Sequence, residues 1–212
     1  MEGARNDIVI SYQRIRDSIP MDVSLVCVSK FHSMEDIMCL YEVGQRDFGE
    51  SYVQELVEKA AKLPKDIRWH FIGHLQTNKV KLILPFVYLI HSVDSIHLLN
   101  KIQEMSYNES ATTKVLLEFH VAAETTKTGF DISEIDTIHV DNFPNVSICG
   151  VMGMATQTKD EYEIRRCFRQ IVQCGKRFPS ILSMGMSEDY RIAVSEGTNM
   201  VRIGSAIFGV RG

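Results

Sequence analysis

Eight short apolar runs recur along this chain, near 24–30, 46–49, 67–72, 87–93, 114–121, 146–154, 180–185 and 200–204, with amphipathic stretches between them. Several runs are continuously apolar rather than alternating, as expected of parallel strands covered on both faces. Parallel neighbours need a crossover connection, which a helix usually supplies. The stretches between the runs carry helix signals. Ser33 with Asp36 resembles a capping box, Met34, Ile37, Met38 and Tyr41 share one face, and Gly44 suits the end of the helix. Val53, Leu56, Val57 and Ala60 form the next stripe, stopped by Pro64, and Leu98, Ile102 and Met105 form another. Asp160 and Glu163 open a helix whose buried face is Ile164, Cys167, Phe168 and Ile171, closed by Gly175. Ile8, Tyr12 and Ile15 predict one helix more, ahead of the first strand.

Strand and helix in alternation predict an α/β fold, a (β/α)8 TIM barrel with an extra N-terminal helix, with a doubly wound open sheet as the alternative. The 212 residues lie near the lower limit for such barrels, roughly 200 residues, so the loops must be short. No linker or composition shift divides the chain, and a single domain over residues 1–212 is expected.

Composition removes several function classes. A 45% apolar and 24% charged chain is globular in character. With a net charge of −4 and no basic run, neither nucleic acid nor a membrane surface is an expected partner. The polar N-terminus lacks a signal-peptide core, and no apolar run approaches the roughly 20 residues of a membrane span. Five cysteines, an odd number without a Cys-x-x-Cys pair, argue against a disulfide framework or a zinc site. A cytoplasmic, monomeric protein is expected. His70 and His74 are four apart, but Gly73 should end the strand between them, so they would not share a helix face as zinc ligands do. Phosphate-loop, serine-elbow and dinucleotide fingerprints are absent.

Three features remain that could carry chemistry. Lys30 closes the first apolar run, at the strand end where α/β folds bind ligands. It is either a solvated strand-end lysine or an amine in a partly apolar pocket, able to condense with an aldehyde. Ser183-Met-Gly-Met-Ser187 and Val201-Arg-Ile-Gly-Ser205 follow the seventh and eighth strands, the frequent phosphate site of these barrels, which nominates Ser187, Gly204 and Ser205. Their alternative is plain turns with capping serines, and Glu188 and Asp189 would repel a nearby phosphate. Arg202 shares a strand face with Gly204 by period two. It must be paired, either with an acidic residue such as Glu50 or with a ligand ring nitrogen.

The ordered set Val28-Ser-Lys30, Gly44 to Glu50, Tyr52 to Glu55, Trp69 to Gln76, His91 to Asp94, Met152-Gly-Met154, Leu182 to Ser187 and Val201 to Gly209 resembles the pyridoxal phosphate homeostasis protein family, from about residue 22 onward. The resemblance implies an alanine-racemase-like barrel of fold type III without that enzyme's second domain. It implies pyridoxal 5′-phosphate (PLP) as the cofactor, held as a Schiff base on Lys30. Arg202 would face the pyridine nitrogen, Ser187, Gly204 and Ser205 the phosphate, and Met184 would also line the cofactor site. The implied role is an intracellular carrier or buffer of PLP without a robust reaction of its own, with PLP-dependent apoenzymes as recipients. A racemase-type PLP enzyme and a cofactor-free Schiff-base lyase are the alternatives. The chain departs from the family at Phe31-His32-Ser33, at Ser51 and at His120, while keeping Lys127-Thr-Gly129.

Overall fold

A computed structural model describes residues 2–124, 128–178 and 181–209 of the chain, so Lys127 lies outside the described residues. In chain order the elements are α1 (Glu2–Asp17), β1 (Ser24–Val28), α2 (Met34–Glu42), β2 (Asp47–Glu50), α3 (Val53–Lys62), β3 (Arg68–Phe71), α4 (Val80–Ile83), β4 (Val87–Val93) and α5 (Ile96–Asn108). They continue with β5 (Thr113–Glu118), β6 (Val146–Met152), α6 (Glu161–Gly175), β7 (Ile181–Ser183), α7 (Tyr190–Ser195), β8 (Met200–Ile203) and α8 (Ser205–Phe208). The strands are parallel in sequence order and β8 pairs back onto β1, closing the barrel. An open sheet is thereby excluded.

Closure sorts each strand's residues by parity. Leu25, Cys27, Phe48, Trp69, Phe71, Val115 and Leu117 belong to the large cluster between strands and helices. Val26, Leu89, Leu116, Met152 and Met200 fill the interior instead. The expected caps form: Ser33 Oγ accepts the Asp36 N–H while the Asp36 carboxylate accepts the Ser33 N–H, and Asp160 caps α6 through the Tyr162 N–H. Gly44 follows α2 at φ +99°.

Two features depart from uniform β/α alternation. Between β5 and β6 the described residues form two 3-10 turns, Ile132–Thr137 and Val140–Asn142, where the strand rhythm predicts a helix. Pro144 bars extension of the second turn, and Phe130, Ile138 and Phe143 bury themselves over the strands in its place. The four-residue α8 is too short to cover β8. α1 packs against α8 and α2, burying Ile8, Tyr12 and Ile15, and so completes the helical ring at that seam.

Gly150 in β6 has φ +153°, and a Cβ there would run into the Ile181 carbonyl of β7. Gly150→Ala should lower stability by roughly 3 kcal/mol, through a strained backbone and a steric clash. The check is the midpoint of urea unfolding, which should fall without a change in slope.

Candidate functional site at the barrel mouth

Lys30 follows β1 with the parity of Val26, whose side chain belongs to the interior. It is half-buried, and the peptide groups on both sides of it are anchored. The Ser29 carbonyl accepts a hydrogen bond from Lys59 Nζ at 2.8 Å, and the Phe31 N–H donates to Glu55 Oε2 at 2.8 Å. Lys59 is itself buried on α3 and also reaches Glu50 Oε1 and Glu55 Oε2, each at 2.8 Å. Ser29 Oγ donates to the same Glu50 oxygen at 2.7 Å. Phe31 is thereby held at φ +65°, unusual for an aromatic residue, with its ring centroid 5.0 Å from that of Tyr52.

Glu50 consequently faces α3 and not the barrel interior, which corrects the expected pairing of Glu50 with Arg202. Its parity is that of Phe48, an outer-cluster residue. Burial pushes its carboxyl up to about 7 against the pull of Lys59, and its Oε2 has no hydrogen-bond partner among the described residues.

Arg202 lies in the interior, 4% exposed. Its Nη1 donates to the Ser183 carbonyl at 2.8 Å and to Ser183 Oγ at 2.7 Å, and its Nη2 to the Gly153 carbonyl at 3.4 Å. The Nε–H and the second Nη2–H find no acceptor among the described residues. Burial lowers its pKa to about 10, with Glu118 and Asp189 opposing, so it stays cationic at neutral pH. Glu118 shares the inward parity of Leu116. Burial and the nearby Asp94 push its carboxyl up to about 8 despite the attraction of Arg202.

The loops after β7 and β8 meet. The Ala206 N–H donates to Ser187 Oγ at 3.2 Å, joining the β7 loop to the first turn of α8. Gly204 sits against β1, where a Cβ would lie 3.3 Å from the Val28 carbonyl oxygen. Gly185 must be glycine: at φ +96° its Cβ would lie 2.6 Å from that of Ala193. Asp189 spends its carboxylate on the Met186 N–H at 2.6 Å, and α7 begins at Tyr190. The His32 ring stacks on Phe208 at 4.5 Å, drawing the β1 loop to the same rim.

Lys30, Arg202, Ser187, Gly204 and Ser205 thus occupy neighbouring strand ends around one mouth. Met184 does not join them. It is fully buried in the outer cluster, because it follows the inward Ser183 by one residue. Of the two histidines, His70 is fully buried, while His74 is exposed and pairs with Asp94 at 3.1 Å. Ser183, Glu118, Lys59 and Glu55 belong to the site's surroundings without having been singled out from sequence. The period-two parity of their strands was the signal for the first two.

The donor set fits a phosphorylated pyridine aldehyde: a strand-end amine, an arginine with unengaged donors, and two Gly/Ser loops joined to each other. The sequence model described as "Alanine racemase, N-terminal domain" matches residues 7–212. The chain is 33% identical over 202 residues to the pyridoxal phosphate homeostasis protein of Haemophilus influenzae, covering 89% of this chain and 85% of that one. The structure of PipY from Synechococcus elongatus with PLP bound superposes with a TM-score of 0.86 at 31% identity, over 95% of this chain and 100% of PipY. Alanine racemase from Clostridium difficile, 13% identical with a TM-score of 0.83, shares the fold over 97% of this chain and 57% of its own. Among the described residues no helix is long and apolar enough to cross a membrane.

Lys59→Met should cost about 3 kcal/mol, because it strips the buried Glu50 carboxyl and the Ser29 carbonyl of their shared donor. Lys59→Met combined with Glu50→Gln should recover much of that loss in urea unfolding. For Glu118 the folded-state pKa, about 8, lies above the usual glutamate value. The stability it allows is complete at acidic pH and is lost as pH rises through about 8. Glu118→Gln should therefore gain on the wild type between pH 5 and pH 9, by roughly 1 kcal/mol or more at the alkaline end, measured by denaturation at each pH.

Proposed function

The chain belongs to the pyridoxal phosphate homeostasis protein family, and from that premise we propose that it binds PLP at this mouth and serves its intracellular homeostasis. Bound there, the cofactor supplies an aldehyde able to condense reversibly with a lysine amine. Lys30 provides that amine on a backbone fixed by α3. Arg202 turns its unengaged donors to the ring nitrogen, and Ser187, Gly204 and Ser205 take the phosphate with backbone N–H groups and hydroxyls. The observation that carries this reading is the convergence of Lys30, Arg202 and the joined β7 and β8 loops at one end of the barrel.

A donor at the ring nitrogen disfavours its protonation and weakens the ring as an electron sink. That property favours holding and handing over the cofactor over turning substrate over. We take the protein to be a cytoplasmic, monomeric carrier whose recipients are PLP-dependent apoenzymes.

Protein loaded with PLP should show a yellow absorbance, and borohydride should fix the cofactor to Lys30, as read by peptide mapping. Lys30→Ala should abolish both signals. A yellow, reducible Lys30→Ala protein would sink the assignment, and sustained turnover of an amino acid by the pure protein would replace the carrier with an enzyme.

A further inference from the structure

Beneath Arg202 an unbroken line of buried polar side chains crosses the barrel interior. Arg202 Nη1 lies 2.7 Å from Ser183 Oγ, and Ser183 Oγ lies 3.0 Å from His91 Nδ1. His91 Nε2 is 2.8 Å from His70 Nδ1, and His70 Nε2 is 3.0 Å from Asp47 Oδ1. Asp47 is also engaged by Arg68, whose Nε donates to Oδ1 at 2.6 Å. Ser183, His91 and His70 are each 0% exposed.

Hydrogen bookkeeping allows this line one polarity. An arginine can only donate, so Ser183 Oγ accepts from Arg202. The Ser183 hydroxyl hydrogen then goes to His91 Nδ1, its remaining partner among the described residues. With Nδ1 accepting, the His91 hydrogen sits on Nε2 and points to His70 Nδ1. His70 must then carry its hydrogen on Nε2, where the Asp47 carboxylate accepts it. Working from the other end gives the same answer, because an ionised carboxylate accepts only. Asp47 is ionised, held down to about 2 by Arg68 and His70 against the burial that opposes them. Burial, together with the positive charge of Arg202, keeps His91 neutral.

We propose that Ser183, His91 and His70 are positioning residues for Arg202, a one-way donor chain that ends on Asp47, supplies the guanidinium with a distant counter-charge, and leaves its other edge free for the cofactor ring. The proposal rests on the PLP reading for the ring alone; the chain's polarity stands without it. Aligned hydrogen bonds polarise one another, so the Asp47 charge is felt at Arg202 although no carboxylate among the described residues bonds that guanidinium. The charged and titratable groups facing the line are Tyr12 from α1, Cys27 from β1, Asp47 from β2, Arg68 from β3, Tyr88 from β4, Glu118 from β5, Asp189 from the loop after β7 and Arg202 itself.

Nitrogen-15 NMR of the cofactor-free, histidine-labelled protein tests the polarity. His70 and His91 should both carry a hydrogen on Nε2 and none on Nδ1. A hydrogen on Nδ1 of either ring, or a charged ring at neutral pH, overturns the proposal. On loaded protein, Ser183→Ala should weaken PLP binding by about tenfold and move the pH dependence of the yellow absorbance, and Ser183→Thr should restore both. A Ser183→Ala protein with wild-type affinity and pH profile overturns the positioning role. Failure of the wild type to form any Lys30 adduct overturns the PLP reading instead, while the tautomers still report on the chain.

Discussion

A closed barrel of eight parallel strands has one interior and no edge, so each inward side chain must find its partners among the other inward side chains. Apolar residues meet that condition by packing, as Val26, Leu89, Leu116, Met152 and Met200 do. Polar residues meet it by hydrogen bonding to one another and to backbone carbonyls, because an unmet buried donor or acceptor is costly. The line from Arg202 to Asp47 is how this chain satisfies that condition. The barrel mouth inherits the result: an arginine with its lower donors engaged and its upper donors open.

The architecture was readable because strands and helices differ in period, and the chain keeps those periods cleanly. The eight apolar runs coincide with the eight strands to within a few residues, and the Ser33 and Asp160 caps form as their spacing implies. Tertiary contact sets the rest. Among the described residues of the connection after β5, Phe130, Ile138 and Phe143 cover that side without an α-helix. Met184 stands one step of parity past the inward Ser183 and points outward. Glu50 ends β2 beside the mouth, yet its parity turns it toward Lys59. The same alternation, counted from Val26, places His91 and Ser183 among the interior polar residues.

The candidate site therefore has two kinds of support of different origin. From below, the interior line fixes Arg202. From the side, α3 fixes the chain around Lys30 through Lys59 and Glu55. Strand-end position and family resemblance nominate Lys30 and the two Gly/Ser loops, whereas the supporting residues emerge only when the strands are closed and helix α3 is laid against them. Departures from the family at Phe31 and His32 fall at the rim, where each ring has found an aromatic neighbour, Tyr52 and Phe208 respectively.

The α3 anchor also bears on how a carrier could let go of its cargo. Because the peptide groups on either side of Lys30 are tied to Lys59 and Glu55 of α3, the loop around the lysine is held from outside the mouth. Little chain entropy then has to be surrendered on loading or regained on unloading. In the role proposed, exchange is governed by the reversible covalent bond and by competition from an acceptor amine, with no loop required to unfold. A rigid cradle with a labile bond behaves as a reservoir that can be drawn on repeatedly without the protein being remade at each transfer.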